Sequence, residues 1–442
     1  MTPRIDRFDA DEVASGLISY LDDSPTPFHA VATSAEMLEA EGFTQVDETA
    51  ALPAEAGRYY LVRGGSLVAW STEGLGADAP ASTGFRVVGA HTDSPNLRIK
   101  PRPDVTSVGF AQLAVEPYGG LIANSWLDRD LGLAGRVTQR DADGVNGVRS
   151  VLLDVDEPLL RVSRLAIHLD REVREGEALN AQRQLVPHWS VSPNAPAFTT
   201  WLADRLGVDS TDVLGWDLMT YDLTGAARIG LDGGLIASAR LDNLATSYAA
   251  VRALLDAVGD PQGSLDAIPV IALFDHEEIG SMSERGAFSQ LLPAVLERIV
   301  LARGGDRQDH LRALASTVIA SGDMAHATHP NYADRHEPGH HITLNGGPVL
   351  KINTNLRYAT DGVGTAAFRL ACQQAGVPMQ EFVTRSDLPC GSTVGPMTAA
   401  LTGATTVDFG APTLSMHSVR EVCGAGDQAM YVACLASFLD PA

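Results

Sequence analysis

Residues Ile268-Pro269-Val270-Ile271-Ala272-Leu273-Phe274 form an unbroken apolar run, and Asp275, His276, Glu277 and Glu278 follow it directly. This junction restricts the possible folds more than anything else in the chain. A continuous apolar run suits a strand covered on both faces, as in a parallel sheet flanked by helices. Acidic groups at the end of such a strand need compensation, because an uncompensated buried charge is costly. A bound cation is one such compensation. Adjacent side chains point different ways, so one glutamate can ligate a metal while its neighbour faces a bound water. A metal hydrolase needs that pair: a ligand and a separate general base.

The rest of the chain agrees with an α/β fold. Phe85-Arg86-Val87-Val88-Gly89-Ala90, Thr317-Val318-Ile319-Ala320 and Thr405-Thr406-Val407-Asp408-Phe409 read as further strands. After Arg240-Leu241-Asp242-Asn243 a helical pattern sets Leu244, Tyr248, Val251, Leu254 and Leu255 on one face. Met1 to Leu21 reads as an amphipathic helix. Helices between such strands imply a mixed sheet covered by helices on both faces. From about 106 to 234 the rhythm changes to short alternating segments, such as Val148 to Val155, with Gly and Asp turns between them. This predicts a catalytic domain from 1–105 and 235–442 and a β-rich domain, 106–234, inserted into it. A chain of 442 residues has room for both.

Composition narrows the function. Hydrophobic residues at 45% and charged residues at 20% suit a globular protein. A net charge of −23 argues against nucleic acid and anionic membrane as partners. Only Lys100 and Lys351 are lysines among 32 basic residues. The N-terminal stretch lacks the basic start and apolar core of a secretory signal, and no segment has the length of a membrane span. A cytoplasmic location is expected. Cys372, Cys390, Cys423 and Cys434 form no C-x-x-C pair and read as structural thiols.

Four more motifs join the glutamate pair, each where a strand is expected to end, the place where open α/β sheets bind ligands. In His91-Thr92-Asp93 the imidazole can ligate a metal while the carboxylate accepts its other ring N–H; a structural histidine is the alternative. Asp242 reads either as a helix N-cap or as a carboxylate bridging two cations. Asp323 is a ligand or a solvated loop acid, with His326, His329 and His336 crowded nearby. His417, in Ser415-Met416-His417-Ser418, is a ligand or a loop histidine. Nitrogen and oxygen donors without thiolate suit zinc, with cobalt or manganese able to substitute, and a carboxylate-bridged ion pair is an aminopeptidase pattern.

From end to end the chain resembles the aspartyl aminopeptidase family of dinuclear zinc metallopeptidases. The match runs through Ser24 to Ala30, the His91 motif, Pro117-Tyr118-Gly119-Gly120, Trp126 to Asp130 and Leu165-Ala166-Ile167-His168-Leu169. It continues through Arg240 to Asn243, Asp275 to Gly280, Asp323 to His326, His329 to Tyr332, Pro389-Cys390-Gly391 and Met416-His417-Ser418. The resemblance implies that His91 and Asp323 hold one zinc, Glu278 and His417 the other, and Asp242 both. Glu277 is then the general base and Asp93 orients His91. It also implies that the inserted segment is a dimerisation domain and that subunits form a tetrahedral dodecamer. In that assembly His168, by its own context a strand-end histidine, reaches a neighbour's active site. The expected reaction is hydrolysis of the N-terminal residue of a peptide substrate.

Two features bear on alternatives. Acid-preferring members carry a lysine two residues before the Arg-Tyr matched by Arg357-Tyr358, and this chain has Asn355 there. Neutral N-terminal residues are therefore expected to be preferred over Asp or Glu. A two-zinc carboxypeptidase or N-acyl amino acid deacylase is the nearest competitor, and the motifs of the inserted segment argue against it. A non-catalytic receptor or an oligomeric scaffold leaves the Glu277-Glu278 pair unexplained.

Overall fold

The computed structural model describes residues 3–441 apart from 77, 172, 174–175, 193 and 260–264. The chain divides into two compact units. The first comprises Met1–Asp93, Ala226–Met416 and Glu421–Ala442; the second comprises Ser94–Gly225 and His417–Arg420. The insertion thus begins and ends earlier than the β pattern at 106–234 suggests. The pattern misleads because Asn96–Ser107 is itself a strand of the inserted sheet.

The first unit is built on a nine-stranded sheet. Its strands, edge to edge, are Thr44–Gln45, Arg58–Arg63, Ser66–Ser71, Ile268–Phe274, Phe85–His91, Val318–Gly322, Thr405–Gly410, Val349–Ile352 and Gln380–Val383. The four strands from Ile268–Phe274 to Thr405–Gly410 run parallel, with Phe274 beside His91 and Phe409 beside Gly322. Antiparallel neighbours flank them, so the sheet is mixed.

Alternation along Phe85–His91 sends Val88 and Ala90 to one face and Phe85 and Val87 to the other. The first face packs under Ala10–Asp22, Pro27–Ala40, Leu241–Gly259, Gly362–Ala375 and Ala425–Leu439. The second packs under Leu291–Ala302 and Arg307–Ala315. Every residue of Ile268–Phe274 is buried, as its composition requires.

Two helices differ from their sequence reading. The N-terminal helix starts at Ala10, where Asp9 accepts hydrogen bonds from the amides of Asp11 and Glu12; a short 3-10 turn, Arg4–Arg7, precedes it. Met1 and Thr2, included in the expected helix, lie outside the described residues. The helix Leu241–Gly259 is buried on nearly all sides, Leu255 being among the partly buried exceptions. Two layers of helix explain this: it lies on the sheet and is covered by Ala425–Leu439 and the two N-terminal helices.

The second unit is a six-stranded antiparallel sheet ordered Val148–Leu160, Leu131–Arg140, Val213–Asp222, Asn96–Ser107, Phe110–Tyr118 and His188–Ser190. The helix Phe198–Leu206 closes its core, with Phe198 against Trp189, Trp201 and Trp216. Among the described residues no helix is long and apolar enough to cross a membrane.

Candidate metal centre

The ends of three parallel strands carry the first unit's chemistry. His91 is the last residue of Phe85–His91 and is almost fully buried. Its Nδ1 lies 2.9 Å from the carbonyl oxygen of Asp93. A carbonyl can only accept, so Nδ1 donates, and Nε2 is the nitrogen left to face a metal. Around Nε2 stand oxygens of Asp242 at 3.4 Å, Asp323 at 3.8 Å and Glu277 at 3.9 Å.

Two donor sets share His91. His91, Asp242 and Asp323 offer ligand atoms within 4.8 Å of one another, and so do His91, Glu277 and Glu278. Carboxylates this close repel one another unless a cation lies among them. Electrostatics bears this out. Burial disfavours a charged His91, yet hydrogen bonding with Asp242, Asp323 and Asp93 and the charge of Glu277 raise its pKa well above the usual imidazole value. Burial pushes Glu277 well up; the His91 charge opposes this, and Asp323, Glu278 and Asp93 add to it. One imidazole nitrogen among anionic oxygens is a donor set that fits zinc.

Each member is held from behind. Asp323 follows Val318–Gly322, and its amide donates to the carbonyl of Phe409 at 2.9 Å. Gly410 makes that approach possible: a Cβ there would stand 1.8 Å from the Asp323 carbonyl oxygen. Asp242 sits at the mouth of Leu241–Gly259 with non-helical dihedrals, its amide donating to Glu421 Oε2 at 2.9 Å. Its side chain faces His91, which favours the ligand reading over the N-cap.

The turn after Phe274 is wound by His276 at φ 68°, Gly280 at φ 95° and Ser281 at φ 60°. Arg285 donates to Asp275 Oδ2 at 2.9 Å, which answers the buried charge of that residue. Asp93 accepts from the amide of Glu277 at 3.0 Å through Oδ1 and from that of Glu278 at 3.1 Å through Oδ2. Its carboxylate therefore pins the glutamate turn, with Oδ1 at 3.4 Å from His91 Nδ1, while the closer contact to that nitrogen is the Asp93 carbonyl. Sequence reasoning assigned the imidazole contact to the carboxylate alone.

His417 belongs to the second unit, where its Nδ1 is 3.1 Å from the Gly120 carbonyl. His168 is in an exposed turn of the second unit, not at a strand end. Asn355 and Arg357 are exposed, and Tyr358 is buried. His326 ends the two-residue strand after Asp323 and is exposed. One residue was missed. Lys351, 3% exposed, brings its ammonium to 3.7 Å from Asp323 Oδ2. A lysine inside the apolar strand Val349–Ile352, in a chain with two lysines, was the available signal.

The family described as "Aminopeptidase I zinc metalloprotease (M18)" matches residues 20–439. A "Probable M18 family aminopeptidase 2" of Streptomyces coelicolor is 51% identical over 99% of both chains. The "Cryo-EM structure of the Ape4 and Nbr1 complex" contains a chain 37% identical, with a TM-score of 0.91, covering 98% of this chain and 86% of that one. The "Structure of S. cerevesiae mApe1 dodecamer" is 29% identical, with a TM-score of 0.83 over 97% and 96% of the two chains.

Proposed function

The chain belongs to the M18 family of zinc aminopeptidases, and from that membership we propose that it removes the N-terminal residue of peptides with two zinc ions held by its own side chains. The observation that carries the site assignment is His91, with one nitrogen committed to a carbonyl and the other facing Asp242, Glu277 and Asp323. His91 and Asp323 would hold one ion and Asp242 both. Glu278 and His417 would complete the second, His417 on the strength of its Met416-His417-Ser418 motif. When bound, the ions supply a water of lowered pKa and polarise the scissile carbonyl.

Glu277 takes the proton of the attacking water and passes it to the leaving amine. Asp93 keeps Glu277 and Glu278 at fixed height by holding both their amides. The substrate's free ammonium is attracted to the carboxylate cluster, which confines cleavage to chain ends. Asn355 offers a neutral amide and the adjoining Leu356 is exposed, so neutral N-terminal residues are the preferred substrates.

The second unit serves assembly in this reading. His168 stands among exposed Leu165, Ile167 and Leu169, a setting for contact with another subunit. A dimer-based tetrahedral dodecamer, with His168 completing a neighbour's site, fits the relative solved as a dodecamer. Free thiols at all four cysteines, two of them with sulfurs 3.3 Å apart, suit a reducing cytoplasm.

The test is hydrolysis of leucyl amide and of its N-acetylated form by protein of measured metal content. Two divalent ions per chain and cleavage of the free-amine substrate alone are expected. Equal cleavage of the blocked substrate would sink the aminopeptidase assignment, and light scattering showing a fully active monomer would sink the assembly.

A further inference from the structure

The helix Leu241–Gly259 carries two polar side chains that its setting does not explain. Asn243 and Ser247 are both fully buried in its first turns. Buried polar groups are hydrogen-bonded, and the partners show what each serves. Asn243 Nδ2 donates to the carbonyl of Gly322 at 2.8 Å, and Ser247 Oγ donates to the carbonyl of His91 at 2.8 Å. One bond thus falls on a member of the candidate metal set and the other on the residue just before Asp323. Asn243 Oδ1 is buried without a hydrogen-bond partner among the described residues, so this amide is retained for its donated bond despite an unanswered acceptor.

The sheet leaves a gap that these bonds fill. The parallel ladder between Phe85–His91 and Val318–Gly322 runs from Arg86–Val318 to Gly89–Ser321. His91 and Asp323 lie beyond its last pair. Each strand end is tied to its outer neighbour, His91 beside Phe274 and Gly322 beside Phe409, rather than to the other. The helix takes over where the ladder stops, and the same helix presents Asp242 at its mouth. His91, Asp242 and Asp323, whose donor atoms lie within 4.8 Å of one another, are therefore referred to one rigid element. Groups that hold ligands from behind tune metal affinity. We propose that Asn243 and Ser247 are positioning residues of the metal centre, setting His91 and Asp323 at the spacing that one ion shared with Asp242 requires. This rests on the two-metal reading.

The experiment strips full-length wild type, Ser247→Ala, Asn243→Leu and Thr246→Val of metal. Thr246 is the control: it is buried on the same helix, and its hydroxyl meets that of Tyr431 at 3.2 Å rather than a strand end. Each protein is titrated with Zn²⁺ against a chromophoric chelator, its metal-free melting temperature is recorded, and the visible spectrum of its Co²⁺ form is taken as a report of ligand geometry. Ser247→Ala and Asn243→Leu should bind Zn²⁺ about 10- to 100-fold more weakly at one site, with a changed Co²⁺ spectrum. Thr246→Val should melt lower and bind both ions as wild type does. Wild-type affinities and spectra in Ser247→Ala and Asn243→Leu, with only a lowered melting temperature, would reduce the two bonds to helix packing. Equal weakening in Thr246→Val would show that any loosening of the helix releases metal; either result overturns the proposal. Should Asn243→Leu not fold, Ser247→Ala, which removes a single oxygen, carries the same test. Wild type binding fewer than two ions would instead count against the two-metal reading.

Discussion

Two segments that follow strands of the same sheet have opposite characters. The turn Asp275–Ser281 is tied on every side: Asp93 takes the amides of Glu277 and Glu278, Asp275 takes its own neighbour's amide and Arg285, and His276 Nδ1 meets Ser283 at 2.8 Å. The segment Asn353–Tyr358 is largely exposed, and two of its amides, Asn355 and Arg357, turn back on Asn353 of the same loop. In the proposed reading, chemistry common to every substrate would sit where the sheet dictates geometry. Selectivity would sit in an exposed loop, the kind of segment that varies without cost to the core.

The sharpest way to break this contrast is Glu277→Gln. An amide cannot accept the proton, so kcat should fall by roughly 10²- to 10⁴-fold, with metal content unchanged by elemental analysis. A near-normal kcat would remove Glu277 as the base. Glu278→Gln should lower kcat less steeply and lose part of one ion, and full retention of both ions would refute its place as a ligand.

Asp93→Asn probes the tether rather than the chemistry. Asparagine can accept from only one of the two amides, which leaves a buried N–H unpaired at about 1–3 kcal/mol. A misplaced Glu277 should then slow kcat by on the order of 10²-fold with KM little altered. Unchanged kinetics would mean that the turn holds itself. In the exposed loop, Asn355→Lys should shift the ratio of kcat/KM for aspartyl over leucyl amide by up to about tenfold, or 1.4 kcal/mol, and leave kcat for leucyl amide intact. No shift would place the residue away from the substrate side chain.

The same contrast governs what could be read from the residues alone. Ile268–Phe274 was legible to the residue because its composition admits one environment, and the acidic cluster after it pointed directly to metal. Other signals were local and misleading. Met1 to Leu21 has helical periodicity, but the chain caps at Asp9, and a cap outranks periodicity when a helix starts. The inserted unit was placed too late because its first strand, Asn96–Ser107, follows closely on His91. The bonds made by Asp93 depend on a turn 184 residues away in sequence, which no local pattern encodes. Lys351 was visible as an oddity of composition, but its partner, Asp323, emerges only when the strands assemble.

That assembly has a kinetic side. Phe85–His91 and Ile268–Phe274 lie side by side, yet Ser94–Gly225 of the second unit is threaded between them in the chain. Contacts this distant in sequence raise contact order, and the entropy of closing the intervening loop must be met before the pairing gives any return. The donors at His91, Asp242, Glu277 and Asp323 meet only after that closure, so a cation cannot gather them early. Zinc held by these donors would act on the finished sheet as a lock that slows its opening, and apo protein should reach the native topology at the same rate as it does with metal present.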